Sequence, residues 1–237
     1  MTANRSIPWP RILAEGGAIV VSILLAFAID AWWQERSDRA REQTAIRRLI
    51  VEYETNLQRL EIDKADHEDV LAATNQLLDL IGPDPAEVED HDAMARILID
   101  CLTNPVLEPR LGTTNSLIAS GEIRLLQDEE IQSKLTEWPM LAQELIQWQE
   151  IERMHGEELI LDLTYDYVAW PDMDVALGFE GNPSRFDSDF DGLLSSMRFE
   201  GLLDNRRWNT RNAIERIEDL EAETKALIER LESQLAE

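Results

Sequence analysis

One stretch of this chain limits its fold more than any other: an apolar run, residues 16–29, that leads directly into a charged segment with helical periodicity. The run contains no charged residue between Glu15 and Asp30. At about 14 residues it falls short of the roughly 20 that a helix needs to cross the hydrocarbon core of a bilayer. Because neither glycine nor proline occurs over residues 18–81, one helix can continue from this run far into the chain.

Tryptophans flank the apolar run on both sides. Trp9 precedes it, and Trp32 and Trp33 close it. In a helix with a rise of about 1.5 Å per residue, Trp9 and Trp32 lie roughly 35 Å apart, which suits the two aromatic belts of a membrane. The sequence therefore predicts a transmembrane helix at residues 12–33, with these three tryptophans as interface anchors, after a short N-terminal tail at residues 1–11.

Two other interpretations of the run have less support. A cleaved signal peptide would end in small residues, whereas this run ends in Asp30-Ala31-Trp32-Trp33 and continues into a helical pattern. A buried helix of a soluble protein would need an equally apolar partner, and no second run of this kind occurs in the chain. A permanent membrane anchor is the favoured interpretation.

Small and acidic residues share one face of the predicted anchor. At about 100° per residue, five positions fall close to a common direction: Glu15, Ala18, Ser22, Ala26 and Asp30. Small residues let membrane helices approach closely, and a carboxylate at the membrane edge is costly unless it faces a partner or water. The stripe indicates self-association. The alternatives are ion or proton conduction through an assembly, or two carboxylates that simply reach the membrane surfaces.

Composition bounds the remaining functions. The chain of 237 residues carries 48 acidic and 22 basic residues, a net charge of −26. So acidic a surface repels phosphate groups, which argues against nucleic acid as a partner. A single cysteine, Cys101, rules out an internal disulfide, and its apolar helical neighbours predict a thiol packed in the core.

Helical patterns continue beyond the anchor. Apolar residues spaced by three and four extend the first helix to Gly82, where a Gly-Pro pair stops it. Further helices are predicted over residues 87–103 and over residues 113–120, the latter ended by Gly121. The long helix also contains a polar patch, which is most simply interpreted as a solvated face: Asp63, Asp66, His67, Glu68 and Asp69.

The second half of the chain repeats the pattern. Asp128 is placed to cap a helix over residues 129–168, which Pro139 should kink or split. Residues 169–192 are rich in proline, glycine and acids and predict a long irregular segment. Strict three-four spacing from residue 213 to residue 234 predicts a coiled-coil-like C-terminal helix. Its partner is either another subunit or, slightly favoured, the helix that continues from the membrane.

Three aspartates in the irregular segment resemble part of a calcium loop. Asp187, Asp189 and Asp191 alternate and are followed by Gly192, as in loops that offer oxygen ligands to Ca²⁺. The position that supplies a bidentate Glu in such loops is Arg198 here, so further ligands must come from elsewhere. A solvated acidic loop that caps the next helix is the favoured interpretation, and calcium is the one cofactor considered. No catalytic motif is found.

Three blocks of the sequence resemble a bacterial family of single-pass, N-terminally anchored, mostly helical membrane proteins of unknown function. The first block is the anchor with its closing tryptophans and charges, the second is a serine-glycine turn, and the third is a C-terminal helix with an Asn-Arg pair. The resemblance implies a cytoplasmic N-terminus and an exported domain, but no activity or catalytic residue. The matching residues are Glu15, Gly16, Gly17, Ala26, Ile29, Asp30, Trp32, Trp33, Glu35, Arg36, the segment 116–126, and the segment 199–220 with Asn205 and Arg206.

Together these patterns predict an all-α protein. A transmembrane helix continues as a long amphipathic helix, and residues 34–237 form an acidic helical soluble domain, an elongated bundle. The predicted function is that of a non-enzymatic, membrane-tethered structural or interaction subunit, oligomeric or part of a larger membrane complex; the alternatives are a channel or ion-coupled component and an enzyme built on the 162–200 region. The bacterial inner membrane is the predicted location. The arginine count around the anchor favours a cytoplasmic domain, whereas the family resemblance favours a periplasmic one.

Overall fold

The protein is all-α. The computed structural model describes the backbone of residues 9–236 and the side chains of residues 17, 20–175 and 177–235, and this part of the chain contains no β-strand. The helices are α1 Trp9–Leu80, α2 His91–Leu102, α3 Gly112–Ser120, α4 Glu129–Met154, α5 Asp162–Thr164, α6 Trp170–Ala176, α7 Phe190–Leu194 and α8 Met197–Ala236. A 3₁₀-helix covers Glu122–Leu125, and a π-helix covers His155–Leu161.

Four successive segments of the chain, which we call legs, run up and down to form a bundle: α1, the segment from α2 to α3, α4 and α8. α1 packs against α8 along most of the length of α8 and against α2 near its own C-terminal end, and α4 packs against α8. The direction of each leg follows from single contacts: Asp128 at the start of α4 binds Arg230 near the end of α8, and Gly82 after α1 donates to Leu194 just before α8. The N-terminal part of α1 extends beyond the bundle.

Each long helix buries residues at alternating spacings of three and four, which is why these segments pack side by side. In α1 the buried positions include Ile46, Leu49, Tyr53, Asn56, Leu60, Asp63, His67, Val70, Thr74 and Leu77. In α4 they include Ile131, Leu135, Trp138, Ala142, Leu145, Gln149 and Glu152, and in α8 they include Phe199, Leu203, Arg206, Thr210, Ala213, Ile217, Leu220, Thr224, Leu227 and Leu231.

The second leg of the bundle is interrupted. Between α2 and α3, residues 103–111 are extended, and Pro105 and Pro109 prevent a helix here. An extended segment against a helix bundle lacks backbone partners, so side chains must supply them. Asn56 of α1 bonds both the carbonyl and the amide of Arg110, at 2.7 Å each, and other helices contribute similar bonds, described below.

Several sequence predictions are confirmed. Asp128 caps α4 through its side chain, and Gly121 ends α3 with a φ of 74°. Cys101 is fully buried. The C-terminal seam is also buried from Ala213 to Leu231, and α8 packs against helices of its own chain.

Three predictions are wrong in their detail. The polar patch on α1 is solvated only in part: Asp66, Glu68 and Asp69 are exposed, but Asp63 and His67 are buried. Pro139 does not split the helix, since α4 is continuous from Glu129 to Met154, and the departure from α-helical geometry comes later, at the π-helix. The segment over residues 169–192 is not irregular throughout, since it contains α6 and the start of α7.

The predicted membrane-spanning segment is helical throughout the described chain, as part of α1. Among the residues that the structure describes, however, no helix combines the length and apolarity required to cross a membrane. The transmembrane assignment of residues 12–33 therefore stays a prediction.

Candidate functional site

A layer of charged and polar side chains crosses the middle of the bundle. It divides the interior into two apolar clusters, one built around Tyr53, Trp138 and Leu227, the other around Leu98, Phe199 and Leu203. The layer takes its members from three helices at the same level: Asp63 and His67 of α1, Gln149 and Glu152 of α4, and Arg206 and Thr210 of α8, each less than 6% exposed.

Arg206 lies at the centre of this polar layer. Its Nη1 donates to the Glu152 carbonyl at 2.9 Å, and its Nη2 donates to the Thr103 carbonyl at 2.6 Å. The guanidinium also lies 3.7 Å from Glu152 Oε1, which accepts a hydrogen bond from the Thr210 hydroxyl at 2.5 Å. One side chain of α8 thus holds both α4 and the extended second leg in place.

Gln149 joins the other side of the layer. Its Nε2 donates to Asp63 Oδ2 at 2.7 Å, and its Oε1 accepts from the Leu107 amide at 2.9 Å. The extended segment is therefore fixed at Thr103 and Leu107 by the same layer that joins the three long helices. The bonds to the Thr103 carbonyl and from the Leu107 amide satisfy backbone groups that would have paired within a helix if the second leg were helical here.

His67 lies between two carboxylates. Its Nδ1 is 2.7 Å from the Asp63 carbonyl, and since a carbonyl only accepts, this nitrogen carries a proton. Its Nε2 lies 3.4 Å from Glu152 Oε2. A doubly protonated ring places a positive charge within 3.6 Å of Asp63 Oδ1 and 3.4 Å of Glu152 Oε2, and with two anions and two cations the polar layer is then electrically neutral.

Burial and charge act in opposite directions on the pKa values of the polar layer. Burial lowers the pKa of His67, but Glu152 and Asp63 outweigh it, so the pKa is raised overall. Burial raises the pKa of Glu152, but His67 and Arg206 lower it by more than burial raises it, so the pKa of Glu152 is lowered overall. For Asp63, burial dominates and its pKa is raised.

Gly156 lets the helices approach closely at this level. A Cβ at this position would lie 3.1 Å from Asn104 Oδ1 and 3.2 Å from Arg206 Nη1. Gly156 belongs to the π-helix His155–Leu161, a rare form that often marks functional positions. The wider turn and the missing side chain together make room for Arg206.

The side chains of the polar layer are almost fully buried. In the part of the chain that the structure describes, four buried side-chain polar atoms lack a hydrogen bond: Asp63 Oδ1, His67 Nε2, Asn104 Oδ1 and Arg206 Nε. Such a layer favours one alignment of the helices, because sliding any helix by a turn would place an unpaired charge against an apolar neighbour. Its chemistry is that of a structural lock.

The three aspartates of the calcium hypothesis serve other roles where their contacts are visible. Asp189 caps α7 by accepting from the Gly192 amide at 2.8 Å, and Asp191 accepts from the Val88 amide at 3.3 Å. Asp187 is exposed. Within the described residues, no group of three or more His, Cys, Asp or Glu side chains could hold a metal ion. A calcium site at Asp187, Asp189 and Asp191 has no support there.

The N-terminal part of α1 exposes its apolar side chains. No other element of the described chain covers them, and their exposed fractions lie between 51% and 68%: Val20, Val21, Ile23, Leu24, Leu25, Phe27, Ile29, Trp32 and Trp33. Of the predicted packing stripe, Ser22, Ala26 and Asp30 are exposed. The side chains of Glu15, Ala18 and Trp9 lie outside the described residues.

The sequence contained a signal for the buried layer that a search for apolar residues misses. Ile46, Leu49, Tyr53 and Leu60 define a three-four spacing, and the next steps of that spacing fall on Asp63 and His67. Extending the spacing through polar positions identifies these two residues as interior. The contacts with Thr103 and Leu107 have no comparable signal, because they depend on how the extended segment folds back.

Comparison with protein-family models, with curated proteins and with solved structures finds no match for this chain.

Proposed function

We propose that the protein is a non-enzymatic, membrane-tethered structural or interaction subunit that assembles with copies of itself or with other membrane proteins. The observation that carries this proposal is the uncovered apolar portion of α1. Soluble proteins rarely expose contiguous apolar surface of this extent, and a helix that is apolar on all sides needs an apolar environment on all sides. Trp32 and Trp33 close the segment at the level where a membrane interface would lie.

The polar layer supports a structural role for the rest of the chain. A bundle whose helices are held in one alignment by the polar layer, and which continues directly from a membrane anchor, keeps its outer surfaces at a fixed distance and orientation from the membrane. The bacterial inner membrane, a periplasmic position of the bundle and membership in the anchored family belong to the same proposal. The stripe of Ser22, Ala26 and Asp30 supports association of the anchors, because small residues permit close helix packing in lipid.

Extraction of membranes with alkaline carbonate tests the tether. We expect the wild-type chain to stay with the membrane pellet and Leu24→Asp with Leu25→Asp to release most of it, because two carboxylates in the hydrocarbon core cost about 5 kcal/mol together. The matched control is Val51→Asp with Ile62→Asp. These two residues are both 62% exposed on the bundle, as against 62% for Leu24 and 60% for Leu25.

The two pairs of variants make the result specific. They add the same charge at equally exposed positions, so a general effect of charge on extraction would release both. Release of the wild-type chain by carbonate, or equal release of the two double variants, contradicts the proposal.

A further inference from the structure

The groove between α4 and α8 carries an exposed aromatic and apolar surface that the bundle does not use. Trp148 of α4 and Trp208 of α8 contact each other with ring centroids 5.8 Å apart and ring planes inclined at 57°, and Trp208 is 56% exposed. Leu141, about two helical turns before Trp148 on α4, lines an adjoining groove of about 450 Å³ together with Arg216, which contacts Trp148. Ile151 lies one helical turn beyond Trp148 and is also exposed. We name these residues, Leu141, Trp148, Ile151 and Trp208, the aromatic groove.

The side chains of the aromatic groove are held in position before any partner arrives. Arg216 stacks over the Trp148 ring, with Cζ 4.3 Å from its centroid. The Trp148 indole donates to the Asn209 carbonyl at 3.3 Å. A tryptophan fixed in this way loses little conformational freedom on binding, and Trp with Arg is the composition of binding hot spots.

Carboxylates without partners surround the aromatic groove. Glu144, Glu215 and Asp219 line or border it, and none of them makes an ion pair with the described residues. Glu223 binds Lys134 at 2.6 Å, and Arg216 is committed to Trp148. The rim therefore has a negative charge that the chain itself leaves unmatched, and a partner with Lys or Arg beside its apolar residues would match it.

A helix fits a surface formed by two neighbouring helices. α4 and α8 run antiparallel side by side, and a third helix can pack along such a pair by placing its side-chain ridges into the groove between them. Leu141 and Ile151 lie about 15 Å apart along α4, or about three helical turns. A docked helix would place apolar anchors at positions i, i+4 and i+7 over this length.

We infer that the aromatic groove is a docking site for a basic amphipathic helix of another protein. The inference deepens the proposed function, since it names the surface through which the tethered subunit would bind. A second copy of this chain fits less well, because its net charge of −26 would place like charges together at an acidic rim.

Fluorescence anisotropy with a labelled probe peptide tests the inference on the full chain in lipid nanodiscs. The probe is a 14-residue Leu/Arg helix with leucines at i, i+4 and i+7, and its control is a peptide of the same composition in scrambled order. We expect the helical probe to bind at least tenfold more tightly than the scrambled peptide. We also expect Trp208→Ala with Leu141→Ala, which leaves the charge unchanged, to weaken binding at least tenfold.

Two further variants separate the groove from general attraction to an acidic protein. Ile62→Ala with Val51→Ala removes two apolar side chains from α1 that are 62% exposed each, more than Trp208 at 56% and Leu141 at 43%, and should leave the affinity unchanged. Glu144→Gln with Asp219→Asn should weaken binding and reduce its dependence on salt.

Equal binding of the scrambled peptide, or an affinity that Trp208→Ala with Leu141→Ala does not change, overturns the inference. So does self-association of the chain that this double variant abolishes, because a second copy would then occupy the groove. Carbonate extraction is unaffected by any of these results, so the membrane tether is tested independently.

Discussion

Arg206→Met is expected to lower the free energy of unfolding by about 3 to 5 kcal/mol, the range found when one partner of a buried charge pair is removed. The substitution leaves Glu152 as a buried charge with weaker compensation. It also leaves the carbonyls of Glu152 and Thr103 without the donors that Arg206 supplies at 2.9 Å and 2.6 Å. Chemical unfolding of the full chain, followed by circular dichroism in detergent, measures the change.

The neighbouring residue provides a matched control. Arg207 is on the same helix, pairs with Asp204 at the surface and is partly exposed. Arg207→Met should change the free energy of unfolding by no more than about 0.5 kcal/mol. Combining Arg206→Met with Glu152→Leu should recover part of the loss, because no uncompensated charge remains at that position. If Arg206→Met and Arg207→Met destabilise the protein equally, the polar layer does not have the structural role assigned to it.

The thermal midpoint should fall as the pH is raised above about 6.5, the ordinary pKa of histidine. The folded-state pKa of His67 is raised, so its stabilising contribution is complete below the unfolded pKa and disappears as the pH passes the higher folded pKa. The raised pKa of Asp63 acts in the same direction, starting from lower pH. Glu152 acts oppositely: its lowered pKa gives stability above about 4.5, which is lost on acidification.

Calorimetric scans of the wild-type chain and of His67→Asn between pH 6 and pH 8 separate these contributions. The variant lacks the titrating ring, so its midpoint should depend less on pH in this window, whatever its overall stability. Cys101 does not interfere, because burial raises the pKa of its thiol further above the window. Parallel curves for the two proteins would show that His67 does not titrate between its two carboxylates as described.

Much of the fold could be predicted from periodicity and caps. Apolar spacing identified the long helices, and Asp128 and Gly121 marked ends of helices through local backbone chemistry. The same spacing, extended through polar positions, marks Asp63 and His67 as interior, but the partners in the polar layer could not be found in this way, because Asp63 pairs with Gln149, which is 86 residues away in sequence. Local patterns carry no information about such pairings, and a charged residue on a helix is exposed by default.

The π-helix and the interrupted second leg show a second limit of the sequence. Pro139 suggested a break in α4, yet the helix continues through it, and the irregular turn lies at Gly156. That position is set by tertiary contact, since Asn104 and Arg206 occupy the space that a side chain would take. Proline chemistry predicts a local cost, but packing decides where a helix departs from regular geometry.

Spin labelling of Leu25→Cys in native membrane vesicles tests the membrane tether most directly, because it reports the surroundings of one position on the apolar segment. We expect molecular oxygen, which concentrates in lipid, to relax this label far more than a water-soluble nickel complex does. A label at Val51→Cys on the bundle should show the reverse, although Val51 is as exposed as Leu25 in the isolated chain. A Leu25→Cys label that is as accessible to the nickel complex as the Val51→Cys label would contradict the account.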